Sequence, residues 1–184
     1  MRLVPTELPG AVVIEPEVRG DARGYFKETW RESAWLAAGL PAHFVQCNVS
    51  RSQHGVLRGL HYQHPNPQGK LLWVLEGTIW DVAVDIRRGS PHYGRWAAVE
   101  LSADNHRQFF VPEGFAHGFC VTSEAALVCY MCTAEFEARH DRAIAWDDPS
   151  IAIDWPLEPD ALSARDKSAP RLDELRPEQL PEYH

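Results

Sequence analysis

Cysteine is scarce in this chain, and the four that occur, Cys47, Cys120, Cys129 and Cys132, are too irregularly spaced to frame a disulfide-stapled fold. Cys129 and Cys132 form CxxC, but in the alternating segment ALVCYMCT they point to opposite faces, which argues against a redox or zinc role. No apolar run approaches the roughly 20 residues of a membrane-crossing helix, so no span is expected. Basic residues are outnumbered, 18 Lys and Arg against 26 Asp and Glu, and a formal net charge of −8 excludes the broad basic field of a nucleic-acid surface. The amino-terminal MRLVPTELPG carries an acid and prolines where a signal peptide has its apolar core, and the expected location is cytoplasmic. What remains is a chain of 184 residues, 45% hydrophobic and 24% charged, read as a single domain over 1–184 that buries one core without staples.

Strand signals dominate: AVVIEP, GYFKETW, FVQCNVS, GVLRGLHYQ, KLLWVLEG, TIWDVAVDI, WAAVELS, RQFFVP, ALVCYMCT and AIAWDD. Short runs at near-regular spacing, punctuated by Gly, Pro, Asn and Asp, predict an all-β sandwich or barrel. One helix is predicted, with Thr29 and Glu32 as a capping box, SAWLAAGL as its body, and Gly39 with Pro41 as its stop. HPNPQG reads as a loop. The stretch 156–184 is rich in Pro, Asp, Glu and Arg, and is expected to pack on the barrel as a tail, partly helical.

Two strands alternate unusually. In FVQCNVS, Val45, Cys47 and Val49 share one face, and Gln46 and Asn48 share the other. The common reading is core in and solvent out, but in a closed barrel the polar face lines the lumen instead. Phe26 and Glu28 likewise share a face of GYFKETW. In VLRGLHYQ, strict alternation puts Arg58 and His61 on opposite faces, whereas a bulge at Gly59 shifts the register so that both enter one pocket.

Spacing adds a second clue. Five residues separate Gly55 from His61, one more leads to Gln63, and PEGFAHGF supplies P-x-G-x-x-H at Pro112, Gly114 and His117. This resembles the paired signature of the cupin superfamily, G-x5-H-x-H followed by P-x-G-x-x-H. The fold that resemblance implies is all-β, a double-stranded β-helix jelly roll (cupin barrel) with a few short helices. Gln63 stands where metal-binding cupins have their second histidine, and a neutral amide is a poor transition-metal ligand, so no metal is expected.

Within that superfamily, DARGYFKE, GVLRGLHYQ, DVAVD at 81–85, RRGSPHYG, PEGFAHGF, IDWP and LSARD at 162–166 resemble, in order, the motifs of the dTDP-4-dehydrorhamnose 3,5-epimerases. The resemblance implies inversion at C3 and C5 of a dTDP-4-keto-6-deoxyhexose, with no cofactor, because the C4 ketone already acidifies both neighbouring C–H bonds. Such a reaction needs a base on one face, an acid on the other and a cation at the carbonyl oxygen. By resemblance His61 is the base, Asp166 orients it, Lys70 is the cation and Tyr130 is the acid. From the residues alone Asp166 is one more solvated acid, Lys70 an exposed strand-start lysine and Tyr130 a core tyrosine, with Asp81 the fallback partner of His61.

The resemblance further assigns substrate binding to Arg23, Phe26, Glu28, Gln46, Asn48, Arg58, Lys70 and His117. Asp141 and Arg165 fall where the family usually has glutamate and lysine, and Phe136 where an aromatic residue, commonly tyrosine, neighbours the thymine or sugar; all three are carried as binding residues. Single-carbon 3- or 5-epimerases are the nearest alternative. A metal cupin using His61, His64 and His117, and a non-catalytic sugar-binding cupin, are the alternatives of other classes. The resemblance also implies a homodimer in which an amino-terminal strand joins the neighbour's sheet.

Overall fold

A computed structural model describes residues 1–183. In chain order the elements are β1 (Arg2–Pro5), β2 (Val12–Glu15), β3 (Val18–Asp21), β4 (Gly24–Lys27), α1 (Glu32–Ala37), β5 (Gln46–Gln53), β6 (Leu57–Gln63), β7 (Lys70–Glu76) and β8 (Thr78–Asp85). They continue with β9 (Trp96–Ser102), β10 (Gln108–Val111), β11 (Phe115–Val121), β12 (Ala125–Cys132), β13 (Asp141–Ala143) and α2 (Ala164–Lys167). One sheet has the order β1-β2-β10-β7-β12-β5, a second has β13-β6-β11-β8-β9, and β3 with β4 forms a separate hairpin. The pairings are antiparallel, and the two large sheets face each other as a jelly roll.

Alternation explains the core. Leu72, Val74, Phe109 and Val128 of the first sheet meet Ile79, Val99, Phe119 and Val121 of the second in one buried cluster. Both outer faces are covered too, which is why several strands read as apolar on both sides. Trp35 of α1 packs edge-on against Phe44 and Phe110 over the first sheet. Ile144, Ile151, Leu172 and Leu180 cover Leu60, Tyr62, Val82 and Val84 on the second. The tail therefore packs on the barrel, with α2 as its short helix, although His184 lies outside the described residues.

Some expectations need correction. The capping box does not form: α1 starts after Arg31, no side chain caps it, and Thr29 instead gives its carbonyl to Gln108 Nε2 of β10 at 2.8 Å. Its stop is as expected, a Schellman turn in which Gly39 N–H reaches the Leu36 carbonyl and Leu40 N–H the Trp35 carbonyl, with Gly39 at φ +73°. AIAWDD is not a strand. The strand lies earlier, at β13, because Ala145 turns away to give its N–H to the Pro170 carbonyl. β11 escaped notice as a strand because all of FAHGFCV is buried, leaving no alternation to read.

The bulge at Gly59 forms. His61 is paired with His117 and Arg58 with Phe119, so β6 spends three steps where β11 spends two. Gly59 has φ +133°, and a Cβ there would stand 2.5 Å from Gly118 Cα and 2.9 Å from the His117 carbonyl oxygen. Only glycine fits both the dihedral and the approach. Gly59→Ala is expected to cost at least about 2 kcal/mol, lowering Tm by roughly 4–8 °C, and to impair activity. A thermal melt superimposable on the parent's would show that the bulge accepts a side chain.

Candidate active site

The register aligns the inner faces into rows. Gln46 of β5, Cys132 of β12 and Lys70 of β7 form one row, and Asn48, Tyr130 and Leu72 form the next. On the opposing sheet, His61 is flanked by His117 of β11 and Ala143 of β13, and the bulge returns Arg58 to the same face. The polar face of β5 thus points inward, while Val45 and Val49 are left exposed on its outer side. Cys129 lies on that outer side, 3.8 Å in Sγ–Sγ distance from Cys47, and Cys132 on the inner one, as alternation requires.

His61 Nε2 donates to Asp166 Oδ1 at 2.6 Å across 105 residues of sequence. Asp166 is 3% exposed, and its own N–H donates to Ser163 Oγ, which caps α2. Burial raises the Asp166 pKa, but the hydrogen bond and charge of His61, with Ser163 and Arg165, more than offset it and hold the carboxyl below its ordinary value. In neutral imidazole, donation through Nε2 leaves the lone pair on Nδ1, the form a general base needs.

Asp81 is not the partner of His61. It accepts from His117 Nε2 at 2.9 and 3.0 Å and is completely buried. Burial raises its pKa, against the opposing pull of His117 and Lys70. Lys70 is not an exposed strand-start lysine: it is 8% exposed, and burial pushes its ammonium below the ordinary value, with Cys132, Asp141 and Asp81 opposing. Tyr130 is half-buried and raised in pKa, chiefly by burial and also by Cys132, with Arg58 pulling the other way. Its phenol therefore keeps its proton.

Arg58 Nε donates to Ser52 Oγ at 3.0 Å, so Ser52, buried on the same inward face of β5, joins the site. The alternation that singled out Gln46 and Asn48 continues through Ser50 to Ser52 and would have found it. Gln46 Nε2 donates to Asn48 Oδ1 at 2.9 Å, and its Oε1 accepts from the Phe136 N–H at 2.7 Å, which puts Phe136 at the rim. Asp141, paired with Gln63, forms an ion pair of 2.6 Å with Arg165 on the His61 side of that rim.

Three assigned residues are not brought to His61 within one chain. Arg23, on the β3–β4 turn, pairs with Asp21 and has an 89% exposed side chain. Phe26 is 70% exposed, and Glu28, beyond the end of β4, pairs with Arg31 at 3.0 Å. Phe26 and Glu28 line a different cavity of about 230 Å³, with Trp30, Trp35 and Gln108, on the outer face of the first sheet. Among the described residues the strands of the hairpin pair with each other alone, and its side chains Tyr25 and Lys27 lie against His106. His64 is also apart from His61 and His117, beside His140 and Arg142 on the outer side. Among the described residues, no group of three or more His, Cys, Asp or Glu side chains converges as a metal site.

The arrangement suits proton transfer at carbon. A carboxylate-oriented imidazole and a protonated phenol stand on facing walls, with a buried ammonium and a guanidinium beside them for charge that develops on oxygen.

Comparison with known proteins shows the family to which the chain belongs. The family profile described as dTDP-4-dehydrorhamnose 3,5-epimerase matches residues 5–174. A protein of that name from Methanothermobacter thermautotrophicus is 54% identical over 157 residues, covering 85% of each chain. The crystal structure of a dTDP-6-deoxy-D-glucose-3,5-epimerase from Legionella pneumophila, in complex with dTDP-4-keto-L-rhamnose, superposes with a TM-score of 0.97 at 46% identity, covering 100% of this chain and 98% of that one. A 3'-monoepimerase from Streptomyces bikiniensis, in complex with dTDP-quinovose, has a TM-score of 0.90 at 34% identity, covering 97% and 92%. With a profile matched over nearly its whole length and relatives this similar, the chain belongs to the dTDP-4-dehydrorhamnose 3,5-epimerase family.

Proposed function

We propose that the protein converts dTDP-4-dehydro-6-deoxy-D-glucose to dTDP-4-dehydro-L-rhamnose by epimerisation at C3 and C5, without metal or nicotinamide. The observation that carries this reading is the His61–Asp166 pair facing Tyr130 across the barrel. His61 Nδ1 removes the proton at C3, and the electron pair moves into an enolate whose oxygen lies by Lys70. Tyr130 then delivers its proton to the opposite face. His61 loses its proton and the Tyr130 phenolate regains one from solvent, and the same cycle serves C5. A well-placed donor to such an oxyanion contributes roughly 3 kcal/mol to the transition state. The buried carboxylate of Asp166 stabilises the imidazolium that forms.

Substrate binding falls to Gln46, Asn48, Arg58, His117 and Phe136, with the Asp141–Arg165 pair at the rim. Arginine suits a diphosphate because its planar fork gives parallel charge-assisted bonds. Epimerisation at one carbon is the second reading. It is favoured by the likeness to a 3'-monoepimerase and by Phe136, which lacks the hydroxyl of the usual tyrosine.

A homodimer belongs to this reading. Arg23 and Phe26 sit on a protruding hairpin with Glu28 just after it, and the open edge at β5 has Val45, just before the strand, and Val49 exposed, 42% and 60% accessible. We infer that the hairpin of one protomer completes the partner's site. The location is read as cytoplasmic, consistent with four free cysteines, since oxidising compartments favour their pairing.

The reaction is tested in deuterated water with dTDP-4-keto-6-deoxyglucose, reading C3 and C5 separately by NMR. The parent should exchange and invert both carbons, whereas a sugar-binding protein would leave both protons in place. His61→Asn should lower turnover at least about a hundredfold. Tyr130→Phe should retain exchange while inversion slows, because the base survives and the opposing acid does not. A His61 variant with near-parental turnover would remove this mechanism.

The shared site has its own test. His61→Asn and Arg23→Ala homodimers, each weak alone, should regain activity when unfolded and refolded together, because a mixed dimer holds one intact site. Loss of a charge-assisted bond from Arg23 should raise KM about tenfold or more. Mixing that restores nothing would mean that Arg23 serves its own chain or none.

A further inference from the structure

Between β12 and β13 the chain crosses the rim without entering a sheet. Its backbone is nevertheless bonded, and largely by side-chain amides. Gln68 Nε2 donates to the Ala134 carbonyl at 2.8 Å, and Gln63 Nε2 to the Glu135 carbonyl at 3.1 Å. The Phe136 N–H donates to Gln46 Oε1 at 2.7 Å, and the Glu137 N–H to Gln63 Oε1 at 2.8 Å. Gln63 Nε2 also donates to the Asn66 carbonyl at 2.7 Å, and Asn66 Nδ2 in turn reaches Glu137 Oε1 at 2.7 Å. Thr133 adds a reciprocal pair with Gly69 at the segment's start.

Gln63 and Gln68 are 4% and 8% exposed, so water is a poor substitute for these partners. The amides are satisfied only when residues 134–137 lie where they do, and that stretch has no ladder of its own to hold it. Phe136, 53% exposed, is at its centre. We propose that Gln63 and Gln68 are positioning residues: as an amide clamp they fix Phe136 at the rim, and so set affinity for the nucleotide end of the substrate without entering the chemistry. This rests on the epimerase reading above. Gln63 is the pivotal member, because its donors and its acceptor hold opposite sides of the Phe136 peptide and tie it to the loop after β6.

The test uses the full chain with Gln63→Met, which keeps length and loses the bonds, and Gln68→Ala as an independent variant. Amide hydrogen exchange of peptides covering 133–140 is measured alongside dTDP binding by calorimetry, and alongside kcat and KM. Exchange in that segment should rise by about tenfold, the dissociation constant for dTDP and KM should rise by a similar factor, and kcat at saturation should stay within about twofold. Unchanged exchange overturns the clamp. Faster exchange with unaltered dTDP affinity overturns its link to binding. A kcat that falls while KM holds makes the amides structural supports of the chemistry, and also overturns it. The exchange and dTDP measurements need no turnover, so failure of the epimerase reading would appear separately, as absent activity in the parent.

Discussion

Between Arg58 and His61, β6 carries one residue more than the stretch of β11 beside it, and the consequences run through the whole site. Without the extra residue, Arg58 and His61 would alternate to opposite faces, one inside the barrel and the other on its outer surface. With it, both enter the space between the sheets, while Leu60 still turns outward into the apolar cluster under the tail. The bulge requires near-contact between the backbones of β6 and β11, which Gly59 and Gly118 permit together: a Cβ on Gly118 would stand 2.8 Å from the Arg58 carbonyl oxygen. A catalytic constellation here is thus a matter of backbone register before it is one of side-chain chemistry.

The interior divides into an apolar part, built from Leu72, Val74, Phe109, Val121 and their neighbours, and a polar end that holds Lys70, Asp81, His117 and Asp166 almost out of reach of water. Burying such groups opposes folding, and pairing only partly offsets that. His117 with Asp81 and His61 with Asp166 are paired, whereas Lys70 makes no ion pair among the described residues. Burial lowers the pKa of its ammonium, and the charges of Cys132, Asp141 and Asp81 pull the other way. An unpaired buried cation is poor for stability and well suited to an enolate oxygen, whose negative charge would supply the missing partner. Stability here comes from the apolar part and from both covered outer faces.

Much of this was legible in the sequence, for identifiable reasons. The inward polar face of β5 showed in the alternation of Gln46 and Asn48, and the bulge in a lone glycine within a strand. Asp166 was invisible to local reading, because its partner lies 105 residues away and its segment looks like any charged tail. Lys70 looked exposed because burial depends on the rows beside it, and Cys132 and Val111 are its neighbours only after folding. Asp81 was given the wrong histidine for the same reason: register, set by β8 against β11, places it with His117. The capping box did not form because the helix starts two residues later than the motif implies, after Arg31, while the Thr29 carbonyl is bonded to Gln108.

Gln63 joins these threads. Two residues after His61 and on the same inward face, it holds the place that metal-binding cupins give to a ligand. Both of its amide N–H groups are engaged, by the Asn66 and Glu135 carbonyls, and its Oε1 accepts from the Glu137 N–H. His61, on the same face, donates to a carboxylate from the tail, and that bond fixes which of its nitrogens is basic. In the proposed reaction Gln63 thus serves the placement of Phe136, and Asp166 serves the acid–base chemistry of His61. His61 and His117 are each paired through Nε2 with a buried carboxylate. In the proposed reaction these carboxylates count as much as the residues that face the substrate, because they fix the tautomer and orientation of each imidazole.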